Sequence, residues 1–494
     1  MGASSVVETH YGKVQGTQKD AVSVWKGIPF ARPPLGSLRF RAPQPLEAWT
    51  GAREATQFGA ISPQTSTGSF GTLPGPMSED CLTLNIWSPS ADNARRPVMV
   101  WIHGGSFVTG SGSTPWYNGT SFATQGDVVV VTINYRLGAL GFLYLAEYAG
   151  EDYAGSGNNG LLDQIEALTW VRDNIAAFGG DPNNVTIFGE SAGAMSIGAL
   201  LAMPAARGLF KRATLQSGAA HRVNSSRVAA DGTQNFLRAL ELGPGDMSRL
   251  LTTPVDDILR AQGTLPSSVQ WRAFSPVVDG VALPKRSIDA IADGSAAGVD
   301  VLVGTNLDEM KLFTVFDPGQ QTVDMNLLTT LFGDRANEVL ATYTDQQYEA
   351  PLSTPWEAFL TDRTFHVPAI RVAEQQGKHS ASAWMYRFDW PTPVYGGVLG
   401  ACHALEIPFL FNTLRHPSVA ILTGGAEAPQ SIANAMHAAW IAFAHGEDLT
   451  QQVQGLPSWP RYDEERRATM LFNTECSVSD DPQAVTRKQW EGVI

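Results

Sequence analysis

Apolar residues along this chain fall into short unbroken blocks: Pro97-Val98-Met99-Val100-Trp101-Ile102, Val128 to Ile133, Val185-Thr186-Ile187-Phe188 and Val301-Leu302-Val303-Gly304. Blocks this short and this rich in β-branched residues predict parallel strands buried on both faces. Between the second and third blocks, Leu161, Leu162, Ile165, Leu168, Val171, Ile175 and Phe178 recur at helical spacing, and Gly179-Gly180-Asp181-Pro182 ends the run, which predicts a helix over 161–178. A second, small-residue helix follows Ser191, with no proline until Pro204. Strand and helix alternating from 97 to 220 predict an α/β fold with a mostly parallel sheet flanked by helices. Before it, Val14, Val22, Val24 and Trp25, with the turn cluster Gly27-Ile28-Pro29, predict a small β-meander at one edge. Near 226–292 and 316–385, helical patterns amid polar turns exceed what crossovers need, and are read as cap-like insertions around a pocket mouth.

Composition adds exclusions. The 494 residues show no compositional seam, repeat or linker, so a single domain spanning 1–494 is expected. A net charge of -14 argues against nucleic acid and anionic membrane surfaces as partners, since both demand a basic face. No apolar run approaches the roughly 18 residues of a membrane span, and the first residues lack the basic and apolar regions of a signal peptide. Cys81, Cys402 and Cys476 are too few and too scattered for a disulfide framework or a zinc site, which fits a reducing, cytoplasmic setting. A monomer or weak homo-oligomer is expected. Gly155-Ser156-Gly157-Asn158-Asn159-Gly160 has the glycine spacing of a dinucleotide site, but the polar Glu151-Asp152-Tyr153-Ala154 before it is no buried strand.

The candidate chemistry sits where two of the apolar blocks end. His103-Gly104-Gly105 closes the first, and Gly189-Glu190-Ser191-Ala192-Gly193 closes the third. Strand, tight G-x-S-x-G turn and helix make a nucleophile elbow, in which glycines are needed because backbone packs on backbone around the serine. A serine hydroxyl is a poor nucleophile at neutral pH, so acyl transfer requires an imidazole to take its proton and a carboxylate to orient that imidazole. In the order serine, acid, histidine, Glu309 follows the Val301–Gly304 block, and His403 follows the glycine-marked stretch 396–400. His10, His103 and His221 fall too early, and the remaining histidines lack such a loop. On chemistry alone, His403 is equally readable as a structural loop histidine.

Gly27-Ile28-Pro29-Phe30-Ala31, Arg39-Phe40, Glu79-Asp80-Cys81-Leu82, Asn134-Tyr135-Arg136, Phe178 to Pro182, Gly189 to Gly193, Gln216-Ser217-Gly218 and Trp459-Pro460 run nearly end to end. In this order they resemble the type B carboxylesterases, the cholinesterase-like branch of the α/β-hydrolases, and among them the bacterial para-nitrobenzyl esterases. The resemblance implies Ser191 as nucleophile, Glu309 as acid, with Asp308 the runner-up, and His403 as base. It also implies backbone N–H donors from Gly105, Ser106 and Ala192 for the oxyanion, and a hydrogen bond from Ser217 to the acid. Ser106 stands where the family usually has a third glycine, and Met310 where it has a glycine after the acid. In secreted relatives the residue matching Cys81 forms a disulfide with a cysteine near Ser62-Pro63-Gln64, where a serine now stands, so that bridge cannot form.

These readings converge on a serine hydrolase of neutral carboxylic esters, acting on a small molecule through an acyl-enzyme on Ser191, with no metal or organic cofactor required. Phe107, Trp116, Phe274 and Phe313 are candidate pocket walls, equally readable as core aromatics. The same machinery tuned to a carbamate, an amide or a lipid ester is an alternative. A non-catalytic binding protein of the cholinesterase type is disfavoured, because serine, acid and histidine are all present.

Overall fold

The computed structural model describes residues 3–19, 21–65, 75–317, 322–344, 354–379 and 381–493. The chain divides into two compact units, one of residues 1–213 and 220–296, the other of residues 214–219 and 297–494.

The first unit begins with the expected meander, β1 (Ala3–Thr9), β2 (Gly12–Lys19) and β3 (Val22–Pro29), paired antiparallel, with β4 (Ala52–Glu54) alongside β2. β5 (Thr83–Ser88), β6 (Arg96–Ile102), β7 (Val129–Ile133) and β8 (Gly180–Glu190) continue the sheet in the order β3-β5-β7-β6-β8. β6 pairs parallel with both β7 and β8. Every residue of β7, and of β6 after Arg96, is buried, as the unbroken apolar blocks require. Each such Val or Ile contributes roughly 1.5–3 kcal/mol.

The crossover helix runs Asn159–Asn174 and tightens to a 3-10 turn over Ile175–Phe178, closed by Gly179 at φ 87°. β8 starts at Gly180, five residues before its apolar block, because Gly180 pairs with Arg96 of β6. Residues 226–292 are mainly short helices, joined by a two-residue parallel pair, β10 (Asn224–Ser225) with β11 (Val277–Val278); β9 (Arg212–Gln216) precedes them. No sheet strand leads into Gly155; that stretch is a pair of 3-10 turns, so the dinucleotide spacing lacks its strand. The Cys81 thiol is fully buried against the Ser62 hydroxyl, and burial pushes it up to about 12; all three cysteines are free.

In the second unit, residues of β9 lead to β12 (Asp300–Asn306), then β13 (Ala383–Phe388), β14 (Ala468–Phe472) and β15 (Ser477–Asp480). β12, β13 and β14 are parallel neighbours, and β15 returns antiparallel. The described residues of 316–385 are mainly helical until Ala383, where β13 begins. The sequence pattern missed that strand: Ala-Trp-Met-Tyr-Arg-Phe has no β-branched residue, and its Arg387 is buried only because Asp389 pairs with it. The helices pack around Phe332, Trp356, Phe359 and Trp490, and between two of them Asp362–His366 forms a π-helical turn.

Candidate active site

In the first unit, the register of β6 on β8 places Ile102 opposite Gly189, so the loop after each strand emerges beside the other. A Cβ on Gly193 would stand 2.0 Å from the Ile102 carbonyl oxygen, and one on Gly189 2.6 Å from the same atom. A Cβ on Gly104 would stand 3.0 Å from the Ser191 Cβ. The glycines are therefore steric requirements of two chains crossing at contact distance. Ser191 itself sits at φ 55° and ψ -123°, a conformation that costs a non-glycine residue about 1–3 kcal/mol and recurs where function over-determines the backbone. Ala192 opens the helix Ala192–Leu200, whose first N–H groups have no partner within the helix.

Facing that turn, Gly105, Ser106 and Phe107 all have positive φ (114°, 56° and 63°). Hydrogen bonds from elsewhere hold this loop. Gln64 takes the Gly110 N–H at 2.8 Å and donates to the Gly110 carbonyl at 2.9 Å. The Tyr135 hydroxyl donates to the His103 carbonyl at 2.8 Å, its ring stacked on the imidazole at 4.4 Å. Burial takes the His103 pKa down to about 4, so this imidazole is neutral and structural. Arg136, next along from Tyr135, is buried in a bidentate pair with Asp163 at 2.6 and 2.8 Å.

In the second unit, Glu309 lies just beyond β12, fully buried, and one of its carboxylate oxygens accepts the Asn306 N–H at 2.8 Å. The other meets His403 Nδ1 at 2.6 Å. A carboxylate partner makes Nδ1 the protonated nitrogen and leaves Nε2 as the basic one. Phe313 and Phe365 lie against the His403 ring at 5.1 and 4.9 Å. Asp308, the other acid considered, braces the histidine loop: its carboxylate accepts the Ala401 N–H at 3.0 Å, and its own N–H donates to the Ala401 carbonyl. Gly400, at φ 57°, leaves no room for a Cβ, which would stand 2.4 Å from that carboxylate.

Beneath this pair lies a group that sequence reasoning missed. Glu406 is fully buried and takes hydrogen bonds from Asn306 Nδ2 at 2.8 Å and Gln216 Nε2 at 3.1 Å, while Asn306 also donates to the Cys402 carbonyl at 2.7 Å. Burial, then the nearby Glu309 charge, push the Glu406 carboxyl up to about 7. Its position three residues after His403 was visible in the sequence, but only burial gives it meaning. Phe365, on the π-helical turn, carried no signal either.

Ser217 departs from expectation. Among the described residues its buried hydroxyl has no hydrogen-bond partner, and the Glu309 oxygens are taken by Asn306 and His403. The residue sits at φ 49°, with its N–H on the Gly304 carbonyl at 2.9 Å. Of the four aromatics, Phe107 and Phe274 are fully buried, edge-on to Phe142 and Phe236 respectively, and Trp116 is nearly so. Phe313 is 38% exposed while touching His403.

Comparison with known proteins places the whole chain in a family. Residues 3–490 match the carboxylesterase family. The chain is 42% identical to the para-nitrobenzyl esterase of Bacillus subtilis (strain 168), with 98% of each chain covered. It is 37% identical to the phenmedipham hydrolase of Pseudarthrobacter oxydans, with 95% of each covered. A carboxylesterase structure from Geobacillus stearothermophilus superposes with a TM-score of 0.89 at 45% identity, covering 98% of this chain and 99% of that one. The fold is the α/β-hydrolase fold of these neighbours, and no helix among the described residues is long and apolar enough to cross a membrane. The chain belongs to the carboxylesterase family, the ester hydrolases that its sequence resembles.

Proposed function

We propose that this carboxylesterase-family hydrolase cleaves neutral carboxylic esters of small molecules through a covalent acyl-enzyme on Ser191. The Ser191 hydroxyl oxygen attacks the ester carbonyl carbon as His403 Nε2 takes its proton, and Glu309 holds the imidazole by its Nδ1–H and stabilises the imidazolium. The N–H groups of Gly105, Ser106 and Ala192 stabilise the oxyanion, each worth about 10²- to 10³-fold in rate. The tetrahedral adduct expels the alcohol, which leaves with the proton from His403. Water, activated by the same imidazole, then releases the acid. The observation that carries this reading is the 2.6 Å bond between fully buried Glu309 and His403 Nδ1. A buried carboxylate oriented on one imidazole nitrogen is what a general base needs, and costly to keep otherwise.

The segments near 226–292 and 316–385 are proposed to be insertions in a single catalytic domain. The free cysteines fit a cytoplasmic setting. Initial rates on p-nitrophenyl esters from acetate to palmitate, with Ser191→Ala as control, test the proposal. Serine-dependent turnover peaking at short or medium chains, with at least about 10⁴-fold of kcat lost in the variant, is the expected outcome. Near-normal turnover by Ser191→Ala would sink it.

A further inference from the structure

Large apolar side chains exposed singly are ordinary; a contiguous set running outward from a reactive group asks for an explanation. Four such side chains occur in the second unit. Phe313 touches His403 and is 38% exposed; Phe316, in the turn that follows the helix Lys311–Thr314, is 66% exposed. Phe316 meets Tyr395 edge to face at 5.7 Å, and Tyr395 is 54% and Val398 39% exposed. Lys311 fastens the two stretches that carry them. Its ammonium donates to the Val398 carbonyl at 3.1 Å and lies 3.9 Å from the Glu357 carboxylate. Tyr395 is held at φ 51°, a conformation unfavourable for an aromatic residue. A wet ledge of two aromatic rings, fixed by a buried lysine and a strained tyrosine, contributes little to folding.

We infer that Phe316, Tyr395 and Val398 form a distal subsite for the alcohol half of the substrate, which accepts an aryl group carried several atoms away from the ester oxygen. The inference rests on the esterase reading above. His403 protonates the leaving oxygen, so the alcohol chain starts at the imidazole and passes Phe313 before reaching the ledge. Phe313 lies 5.1 Å from His403 and Tyr395 5.7 Å from Phe316, and with Phe313 and Phe316 three residues apart the path from His403 to Tyr395 is roughly 15 Å. That span suits an alcohol with a four-carbon tether and a terminal ring, which stacks on Phe316 and Tyr395 while a short alcohol never reaches them.

The test compares kcat and KM of wild type, Phe316→Ser and Tyr395→Asn on three esters: ethyl butyrate, 4-phenylbutyl butyrate and ethyl 5-phenylpentanoate. Asparagine tolerates the left-handed backbone of Tyr395, and both sites are exposed, so folding is retained. For 4-phenylbutyl butyrate, KM rises about 5- to 10-fold in each variant with kcat unchanged, and the other two esters stay within about twofold. Equal changes on all three esters, no change on any, or a change confined to the ring on the acyl side would overturn the subsite. Absence of Ser191-dependent hydrolysis of all three would instead overturn the esterase chemistry beneath it.

Discussion

The turn that carries Ser191 and the loop that carries His403 solve the same problem, fixing a side chain proposed for catalysis, by opposite means. Around Ser191 the restraint is steric: Gly189 and Gly193 let the backbone pass the Ile102 carbonyl at contact distance, and the serine has nowhere else to go. Around His403 the restraint is polar: Glu309, Asn306, Asp308 and Glu406 hold the loop through buried hydrogen bonds. Close packing tolerates no added atom, whereas a hydrogen-bonded network tolerates shape changes but not lost charge or lost partners.

The largest expected break is in the polar half. Glu309→Gln keeps the shape and removes the charge, so kcat should fall by about 10³- to 10⁴-fold with KM little altered, as measured by steady-state kinetics. A loss under tenfold would mean that the acid is elsewhere. In the steric half, Gly193→Ala puts a methyl group 2.0 Å from a backbone oxygen, and neither side can yield cheaply. Its urea midpoint should drop by the equivalent of about 3 kcal/mol; an unchanged midpoint would refute the packing argument.

Glu406 sharpens the contrast through pH. Because its pKa is raised to about 7, the folded chain still holds this proton over the range where the unfolded chain, near pH 4.5, has already released it. Its contribution to stability is therefore full below about pH 4.5 and is lost as pH rises toward 7. Glu406→Gln, neutral throughout, should remove that part of the decline, so the stability difference between variant and wild type changes across this window. Parallel profiles would show that Glu406 does not titrate there. The smallest effect belongs to Ser217→Ala: with no partner among the described residues to lose, it should shift stability by no more than about 0.5 kcal/mol and leave kcat unaltered.

This contrast also explains what could be read from the sequence. The steric half writes itself locally: a β-branched block, then glycines two residues either side of a serine, then small helical residues, all within some twenty positions. The polar half joins residues some 100 apart, as Asn306 to Glu406, and no local pattern marks an asparagine as the one that ties a loop. Glu309 and His403 are picked out in the sequence only through chain order and the resemblance. The hydrogen bond from Ser217 that the same resemblance implies is not seen among the described residues, where the Asn306 N–H takes one Glu309 oxygen. Strand β13 was missed because its buried face includes an arginine neutralised by a partner two residues on.

The serine at position 62 has a practical consequence. With a hydroxyl rather than a sulfur against Cys81, the fold contains no covalent crosslink, so reductants and air leave its connectivity untouched. Two of its thiols are sealed in the interior, and only the partly exposed Cys476 offers alkylating reagents or surface coupling a foothold, a slow one since burial also raises its pKa. Cys476 is thus the address the cysteines offer for attaching a probe or a support.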